Sequence, residues 1–233
     1  EPELSELVLK NQQSGRLQFT TNYSQAIAQT EIVFICVGTP SLPDGSVDLA
    51  FVHSAITQIA QSVSAPLLIV VKSTAPIGIE KELKQIIAQH TSIKCEFASC
   101  PEFLREGSAI YDTTHPDRIV IGTESKQSAD KLTELYQPFS GERMICDIHS
   151  AQMVKYASNS FLALKISYAN VIAQLAELVD ADASIVLKGI GMDSRIGPRF
   201  LNPGIGYGGS CFPKDVAAFI DIAQQFDYDF QLL

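Results

Sequence analysis

The sequence predicts an α/β fold, in which a parallel sheet covered by helices precedes one long helix and a smaller helical region. Over residues 1–148, short β-branched runs alternate with helical patterns, as they do in open parallel sheets. Residues 151–179 contain neither Pro nor Gly and are rich in helix-forming side chains. Residues 189–213 are rich in both Gly and Pro, which favours irregular backbone before a final helix.

Five apolar runs are predicted to be strands: residues 31–37, 67–71, 94–98, 118–121 and 143–146. Gly38 and Pro40 come directly after the first run, and an uninterrupted run bounded by turn residues is typical of a buried parallel strand. Between the runs, apolar residues recur at helical spacing over residues 47–63, 79–87 and 127–136. Strands and helices therefore alternate along this part of the chain.

The segment without Pro or Gly predicts one helix of about 29 residues, roughly 43 Å long at 1.5 Å per residue. A helix of that length can leave one domain and enter another. A short helix to Lys188 and a last helix over residues 214–225 are expected to follow. We therefore predict a partial Rossmann-like domain over residues 1–148 and a helical domain over residues 149–233.

Composition limits the possible partners. The chain of 233 residues has a formal net charge of −9, which argues against nucleic acid and against an anionic membrane surface. Uninterrupted apolar runs such as residues 67–71 are too short to span a bilayer, and no apolar leader opens the chain. Five scattered cysteines, without a histidine or a further cysteine to complete a metal site, indicate reduced thiols in the cytoplasm.

Cys211 differs from the other cysteines. It follows a glycine-rich loop and precedes Pro213, which is at home in the first turn of a helix. A thiol beside a helix N-terminus, with Lys214 nearby, is expected to have a stabilised thiolate and is a candidate nucleophile. The remaining four lie in or beside apolar strands and are expected to be small buried hydrophobes: Cys36, Cys95, Cys100 and Cys146.

Polar residues at two further places are candidates for a site. Lys155 and Asn159 are four residues apart in the predicted long helix, so they share one face, which could equally be a solvated surface. Polar loops follow three predicted strands at residues 38–40, 73–76 and 101–107, and this edge is where open α/β sheets bind ligands. We expect these loops to outline one crevice. The four histidines have no evident partners and are expected on surfaces or in loops.

One stretch matches the spacing of the dinucleotide fingerprint, with Gly204, Gly206 and Gly209. No apolar strand precedes it, so we reject that interpretation, which leaves a backbone that wraps a ligand or a plain irregular turn. The first 30 residues contain no strand with a fingerprint, and no second nucleotide-binding half follows residue 229. We therefore expect the chain to lack a first βαβ unit and a C-terminal nucleotide-binding domain.

Taken together, these segments resemble the UDP-glucose/GDP-mannose dehydrogenase family along essentially the whole chain. The matching pieces are residues 1–2, 14–16, 34–40, 73–76, 101–107, 155–159 and 206–215, of which the last three are the most specific. The resemblance implies an NAD-dependent oxidation of the C6 alcohol of a nucleotide sugar to a carboxylate, by two hydride transfers without release of the aldehyde. Residues 195–201 look more like the UDP-glucose branch of the family than the GDP-mannose branch.

The resemblance also implies catalytic roles for six residues: Cys211, Lys155, Asn159, Asp215, Glu102 and Thr74. The cysteine would attack the C6 aldehyde to give a thiohemiacetal and later a thioester. The lysine and the asparagine would contact the reacting end of the sugar, where an ammonium stabilises a developing oxyanion. The aspartate and the threonine would position a water for proton transfer, and the glutamate would act as acid/base in thioester hydrolysis.

Binding roles are implied by the same resemblance. The cofactor side would comprise Val37, Gly38, Thr39, Pro40, Ser73, Thr74, Glu106 and Lys214. The nucleotide-sugar side would comprise Glu102, Phe103, Leu104, Arg105, Lys155, Asn159, Arg195, Phe200, Asn202, Gly204, Tyr207 and Gly208. Arg195 is expected to reach the substrate of a neighbouring subunit, in a homodimer formed through the long helix. No metal is implied.

Three alternatives remain open. The substrate of such an enzyme could be GDP-mannose or another nucleotide sugar. The chain by itself could be an inactive dimerisation and scaffold piece. A third alternative is a related β-hydroxyacid dehydrogenase, which also uses a Lys and an Asn on a helix but transfers one hydride and needs no cysteine. Cys211 in its glycine-rich setting argues against that third alternative.

Overall fold

The protein, described by a computed structural model over residues 1–233, contains five strands and nine helices. The strands are β1 (Ile32–Ile35), β2 (Leu67–Val71), β3 (Cys95–Ser99), β4 (Arg118–Thr123) and β5 (Glu142–Cys146). The helices are α1 (Leu4–Gln13), α2 (Tyr23–Ile27), α3 (Ala50–Ser62), α4 (Glu80–His90), α5 (Ala109–Thr114), α6 (Lys126–Leu135), α7 (Ile148–Leu178), α8 (Ala183–Gly191) and α9 (Phe212–Gln224). The predicted α/β class is confirmed.

The five strands form one sheet in the order β1-β2-β3-β4-β5. Strands β1, β2 and β3 run parallel to one another, and β4 and β5 run parallel to each other. Between these groups, β3 and β4 are antiparallel and pair only through Ala98 with Thr123 and Ser99 with Gly122. The sheet is therefore mainly parallel, and the expectation of an entirely parallel sheet needs correction at this one pair.

The short helix in the connection between β3 and β4 explains the antiparallel pair. It contains α5, a helix of 6 residues that the sequence patterns did not predict. Such a helix is about 9 Å long at 1.5 Å per residue, whereas a strand of five residues spans about 16 Å. A parallel neighbour requires a connection that crosses the sheet and returns to its starting edge. Because α5 is too short to do so, β4 runs back in the opposite direction.

Both faces of the interior strand β2 are covered. Leu67, Ile69 and Val71 belong to one cluster of buried side chains. Leu68 and Val70 belong to a second cluster. Because neighbouring side chains of a strand point to opposite faces, the two clusters are the two sides of the sheet. This agrees with the uninterrupted apolar run that predicted the strand.

The chain divides into two compact units. The first comprises residues 1–39 and 48–155 and contains the sheet with α1 to α6. The second comprises residues 40–47 and 156–233 and contains α8 and α9. Helix α7, which has 31 residues, runs through the division between them. The domain boundary predicted at residue 148 stays a prediction.

The first two turns of α7 are fastened to the sheet unit. At Gly122 of β4, any Cβ atom would collide with Cβ of Ala151 and lie 2.9 Å from the Asp147 carbonyl oxygen, so this close approach requires glycine. Gln152 is buried, and its Oε1 accepts a hydrogen bond of 2.8 Å from the Gly78 N–H in the segment that follows β2. These contacts fix the start of the helix that carries Lys155.

Helix α7 is long and apolar enough to cross a membrane, by length and composition only. The sequence analysis predicted no such span, because that prediction rested on uninterrupted apolar runs alone. Polar side chains interrupt the apolar pattern, and four of them are buried within the protein: Gln152, Lys155, Asn159 and Ser160. The expected absence of a membrane partner stays a prediction.

Candidate active site

In the sheet unit, Lys155 and Glu102 form a buried ion pair. The ammonium of Lys155 lies 2.9 Å from Glu102 Oε1 and donates a second hydrogen bond of 2.6 Å to the Glu102 carbonyl oxygen. The Lys155 side chain is only 5% exposed, and that of Glu102 is 28% exposed. With two of its three protons bound, this ammonium has one donor left for a further oxygen. The spacing in the sequence left a solvated face open for Lys155, and the structure places it inside the protein.

The carboxylate of Glu102 is held in its charged form. Burial raises the pKa of this carboxyl, but the charge and hydrogen bond of Lys155 and the Leu104 N–H outweigh that effect. Its pKa therefore lies below the usual value for glutamate. The Leu104 N–H donates a hydrogen bond of 2.7 Å to Glu102 Oε2. The charge of Lys72, directly after β2, adds to the lowering. Sequence reasoning missed Lys72, since no spacing relates it to Glu102.

The loop of residues 101–107 is anchored by Asp112 of α5. The Asp112 carboxylate accepts hydrogen bonds from the Arg105 backbone N–H at 2.9 Å, from Arg105 Nε at 3.0 Å and from Arg105 Nη2 at 2.5 Å. The Ser108 hydroxyl donates a fourth bond of 3.1 Å. Led by the Arg105 side chain, these donors lower the pKa of Asp112 to about 2. Arg105 was expected to contact the substrate, and the structure engages two of the five N–H donors of its guanidinium with Asp112.

The segments after β1 and β2 are tied together. The Ser73 hydroxyl donates hydrogen bonds of 2.7 Å to the Val37 carbonyl oxygen and 3.2 Å to the Ile35 carbonyl oxygen. Thr39 is 7% exposed, and Thr74 is half-buried in the same segment as Ser73. After β3, the Cys100 N–H donates to the Val71 carbonyl oxygen at 3.1 Å. Two of the three predicted strand-end loops are thus linked by a side chain, and the third starts beside the end of β2.

In the helical unit, Asp215 of α9 is enclosed between two donors. Asn159 Nδ2 donates a hydrogen bond of 2.6 Å to Asp215 Oδ2, and Lys214 Nζ lies 2.5 Å from Asp215 Oδ1. Asp215 is 1% exposed and Asn159 is 7% exposed. A buried carboxylate is stable only when its oxygens are paired, and here both are. The aromatic rings of Tyr156 and Phe219, also on α7 and α9, stack with centroids 5.7 Å apart.

Cys211 lies at the N-cap position of α9, directly before Phe212 and Pro213. Its side chain is exposed, and the Ser210 hydroxyl lies 3.6 Å from its Sγ atom. Its carbonyl oxygen accepts the Asp215 N–H at 2.8 Å, which is the first turn of the helix. The helix-start setting predicted for Cys211 is confirmed.

Only one of the other four cysteines is buried as expected. Cys100 is 2% exposed, and burial raises the pKa of its thiol to about 12. Cys95 and Cys146 are half-buried, and Cys36 is exposed directly after β1. The expectation is therefore wrong for these three. Strand β1 ends at Ile35, one residue before Cys36, and Cys146 lies on β5, which is an edge strand of the sheet.

The segment of residues 195–208 is irregular, and α7 holds it by two polar side chains. Lys165 Nζ donates to the Ile196 carbonyl oxygen at 3.0 Å, and Asn170 Oδ1 accepts the Gly204 N–H at 2.7 Å. Phe200 has a φ angle of 64°, which is uncommon for a bulky residue and marks a constrained backbone. The dinucleotide interpretation would require a strand before Gly204. No strand precedes this residue, so the structure agrees with the rejection of that interpretation. Asn202 and Gly208 are exposed, and Tyr207 is half-buried.

Two residues that were predicted to bind a ligand are exposed on the surface. The Arg195 guanidinium forms bonds of 3.0 Å and 2.6 Å with the Asp193 carboxylate, and its side chain is 87% exposed. Glu106 is exposed as well. Their expected contacts with the substrate of a neighbouring subunit and with the cofactor stay predictions.

Two histidines have partners that the sequence did not indicate. His149 Nε2 lies 2.9 Å from Oε1 of the buried Glu80, and His53 Nε2 lies 3.0 Å from Glu82 Oε1. Both partners lie on α4, whereas the histidines lie on α7 and α3. The expectation of partnerless histidines is wrong here, since contacts between different helices leave no trace in local spacing.

Comparison with known proteins identifies relatives of both parts of the chain. Residues 1–140 match the family model described as "UDP-glucose/GDP-mannose dehydrogenase family, NAD binding domain". Residues 149–233 match the model of the central domain of the same family. The UDP-glucose 6-dehydrogenase YwqF of Bacillus subtilis is 49% identical over 235 residues, which cover 100% of this chain and 53% of that protein.

Solved structures agree with these matches. A UDP-glucose dehydrogenase from the archaeon Pyrobaculum islandicum superimposes with a TM-score of 0.96 at 41% identity, covering 100% of this chain and 55% of that one. A GDP-mannose dehydrogenase from Pseudomonas aeruginosa gives a TM-score of 0.81 at 33% identity, over 98% of this chain and 55% of that one. The chain thus spans about half the length of the relatives it matches.

Proposed function

The chain belongs to the UDP-glucose/GDP-mannose dehydrogenase family, and we propose that the natural protein carrying it oxidises the C6 alcohol of UDP-glucose to a carboxylate. The observation that carries the proposal is the buried Asn159–Asp215–Lys214 arrangement on α7 and on the helix that Cys211 begins. Buried polar groups cost stability unless they are paired, so a cluster that keeps several of them paired and buried is a candidate for function. The similarity to enzymes named for UDP-glucose favours that sugar over GDP-mannose.

The proposed reaction has two oxidations and one hydrolysis. First the C6 alcohol loses a proton and a hydride and becomes an aldehyde. The Cys211 thiolate then forms a C–S bond to C6, and the resulting thiohemiacetal loses a second proton and hydride to give a thioester. Water attacks the thioester carbon, the C–S bond breaks, and the carboxylate product leaves the thiol regenerated. The covalent bond keeps the aldehyde from escaping between the two oxidations.

The polar pairs suit these steps. The free donor of Lys155 would stabilise the oxyanion that develops at C6, and a buried ammonium does so more strongly than one in water. Glu102, kept ionised at neutral pH, would take a proton from the hydrolytic water. Asn159, with Asp215 fixed behind it, would orient the same oxygen of the sugar. Thr74 would hold the water used in proton transfer.

The cofactor is NAD, since residues 1–140 match the NAD binding domain of the family. NAD accepts one hydride in each of the two oxidations. The carboxyl ends of parallel strands are where open α/β sheets bind dinucleotides, and Val37, Thr39 and Ser73 lie at the ends of β1 and β2. These residues fit the group, because the Ser73 hydroxyl already links both segments. They would hold the cofactor in place while Cys211 and Lys155 act on the sugar.

We also propose that two copies of the protein associate along α7. Phe161, Tyr168 and Leu175 are spaced seven residues apart and are 61%, 53% and 54% exposed. Side chains at that spacing form one apolar stripe on a helix, and such a stripe is typical of a helix–helix interface. Analytical ultracentrifugation checks this directly. Phe161→Glu should convert a dimer into a monomer, and a wild-type monomer at micromolar concentration would refute the interface.

The proposed function is tested by a steady-state screen of the natural full-length protein with UDP-glucose, UDP-N-acetylglucosamine and GDP-mannose. We expect two NADH molecules for each UDP-glucose consumed, and no net NADH production by Cys211→Ala. The control Cys95→Ala, which removes a half-buried cysteine of β3, should keep its turnover.

Robust two-hydride turnover by Cys211→Ala would refute the role of Cys211 as the nucleophile. A single hydride per substrate would favour a β-hydroxyacid dehydrogenase, and a folded dimer without any turnover would favour a scaffold role.

A further inference from the structure

Arg118, the first residue of β4, stacks on an aromatic ring of the candidate site. Its guanidinium carbon lies 3.9 Å from the centroid of the Phe103 ring. This is a favourable cation–π distance, since such attraction extends to about 6 Å. The contact follows from the fold, because β3 and β4 pair in antiparallel register through Ser99 and Gly122. Continuing that register past the end of β3 brings Phe103 level with Arg118.

Phe103 connects Arg118 with the catalytic pair. It directly follows Glu102, whose carboxylate and carbonyl oxygens both accept hydrogen bonds from Lys155. The Lys155 ammonium itself lies 5.6 Å from the centroid of the same ring. Any shift of the Phe103 ring therefore moves the backbone that presents both oxygens to Lys155.

Arg118 is well placed to hold this ring still. The residues that follow it in β4 are buried, with Val120 and Ile121 at most 1% exposed, so its backbone belongs to the core of the sheet. The loop of residues 101–107 has its other anchor at Asp112, which binds Arg105. Between that anchor and the end of β3, the stack on Phe103 holds the residue next to Glu102. A planar guanidinium stacks on a ring in a way that an ammonium cannot.

We propose that Arg118 is a positioning residue for the oxidation proposed above: by stacking on Phe103, it fixes Glu102 against the Lys155 ammonium. It touches neither sugar nor cofactor in this account. Its loss loosens the Lys155–Glu102 pair, so that Lys155 no longer presents its free donor in one direction. The inference rests on the proposed function for its kinetic consequence, whereas the loosening of the pair is a property of the protein alone.

The kinetic test compares Arg118→Met, Arg118→Lys and Phe103→Leu with the wild type, in the full-length protein. We expect kcat to fall about fivefold for Arg118→Met, which corresponds to about 1 kcal/mol, the usual size of a cation–π contact. Phe103→Leu should fall by a similar factor, and the double variant should lose no more than either one. Arg118→Lys should recover only part of the loss, because it restores the charge without the planar stack.

A pH profile separates positioning from a general loss of structure. The charge of Lys155 helps to keep the pKa of Glu102 low, so a looser pair raises that pKa. The acidic limb of kcat, which includes thioester hydrolysis, should therefore move to higher pH in Arg118→Met. The matched control is Arg143→Met, since Arg143 of β5 donates to the carbonyl oxygens of Tyr136, Gln137 and Phe139 at the end of α6. It should lower the melting temperature and leave the limb in place.

The outcomes decide the inference without ambiguity. Wild-type kcat and an unmoved limb in Arg118→Met would overturn it, as would losses that multiply in the double variant. If the wild type oxidises no nucleotide sugar, the proposed function fails, and carbon-13 NMR titration of the Glu102 carboxyl decides this inference separately. A higher pKa of Glu102 in Arg118→Met than in the wild type supports it, and equal values overturn it. Glu102→Gln identifies the resonance.

Discussion

Two carboxylates, Asp215 in the helical unit and Glu102 in the sheet unit, are held in different ways. Asp215 belongs to the first turn of α9, is 1% exposed, and has both oxygens bound by Asn159 and Lys214. Glu102 belongs to a loop, and its side chain is 28% exposed. Backbone within a helix is fixed by its own hydrogen bonds, whereas the loop depends on contacts of its side chains. In the proposed function, Asp215 would therefore serve as a fixed orienting group and Glu102 as a group that exchanges protons.

The largest effect is expected from Asp215→Asn. A neutral amide in place of this carboxylate leaves the largely buried Lys214 without its counter-ion and disturbs the orientation of Asn159. We expect turnover to fall at least about a hundredfold and unfolding to become easier by about 1–3 kcal/mol. Pre-steady-state kinetics should show that the first hydride transfer is already slow.

The control for this change is Asp221→Asn, on the same helix. Asp221 accepts a hydrogen bond of 2.8 Å only from the exposed Gln225 side chain. Its replacement should leave turnover within about twofold of the wild type, as surface changes usually do. If Asp215→Asn kept a normal first hydride transfer, the fixed orienting role would have to be abandoned.

A smaller effect is expected from Glu102→Gln. The variant keeps the shape of the loop and loses the base for thioester hydrolysis, so the steady-state rate should fall by about 10²-fold. In contrast to Asp215→Asn, a rapid first burst of NADH should persist. Glu96→Gln removes a glutamate of β3 that pairs with Lys94 at 2.7 Å, and serves as the control with normal turnover. A burst lost together with the steady-state rate would erase the distinction between the two carboxylates.

The smallest effect is expected from Asp112→Asn, which loosens the far end of the loop. The variant should lose turnover a few-fold and stability by about 1 kcal/mol at neutral pH, the net size of a hydrogen-bond change. The folded pKa of Asp112 is about 2, below its ordinary value of 3.8, so its carboxylate stabilises the fold above pH 3.8 and loses that contribution as pH falls toward 2. Urea denaturation should therefore show wild type and variant converging between these pH values. A difference that stays constant there would contradict the role of the Arg105 pair.

Much of the fold is contained in local patterns. Residues 67–71 were predicted as a buried strand and form β2 over the same residues, because an uninterrupted apolar run is typical of a strand covered on both faces. The predicted helix of residues 151–179 is α7, which begins three residues earlier and ends one residue earlier than predicted. The antiparallel pair of β3 and β4 was not predictable, since hydrophobic periodicity records burial and not strand direction.

The site was predictable in part. Helical spacing placed Lys155 and Asn159 on one face, and the setting of Cys211 before Pro213 placed it at a helix start. Spacing could not reveal their partners, because Glu102 and Asp215 are 53 and 56 residues away along the chain. Arg118 escaped notice for the same reason, since its contact with Phe103 depends on the direction of β4.

The most direct test of the account follows the carbon–sulfur bond. Glu102→Gln is mixed with UDP-glucose and NAD, quenched in acid, digested and examined by mass spectrometry. The account predicts that the peptide containing Cys211 gains the mass of a UDP-glucuronyl thioester, and that this adduct accumulates more than in the wild type. A burst of NADH with an unmodified Cys211 peptide, or with the adduct on another cysteine, would contradict it.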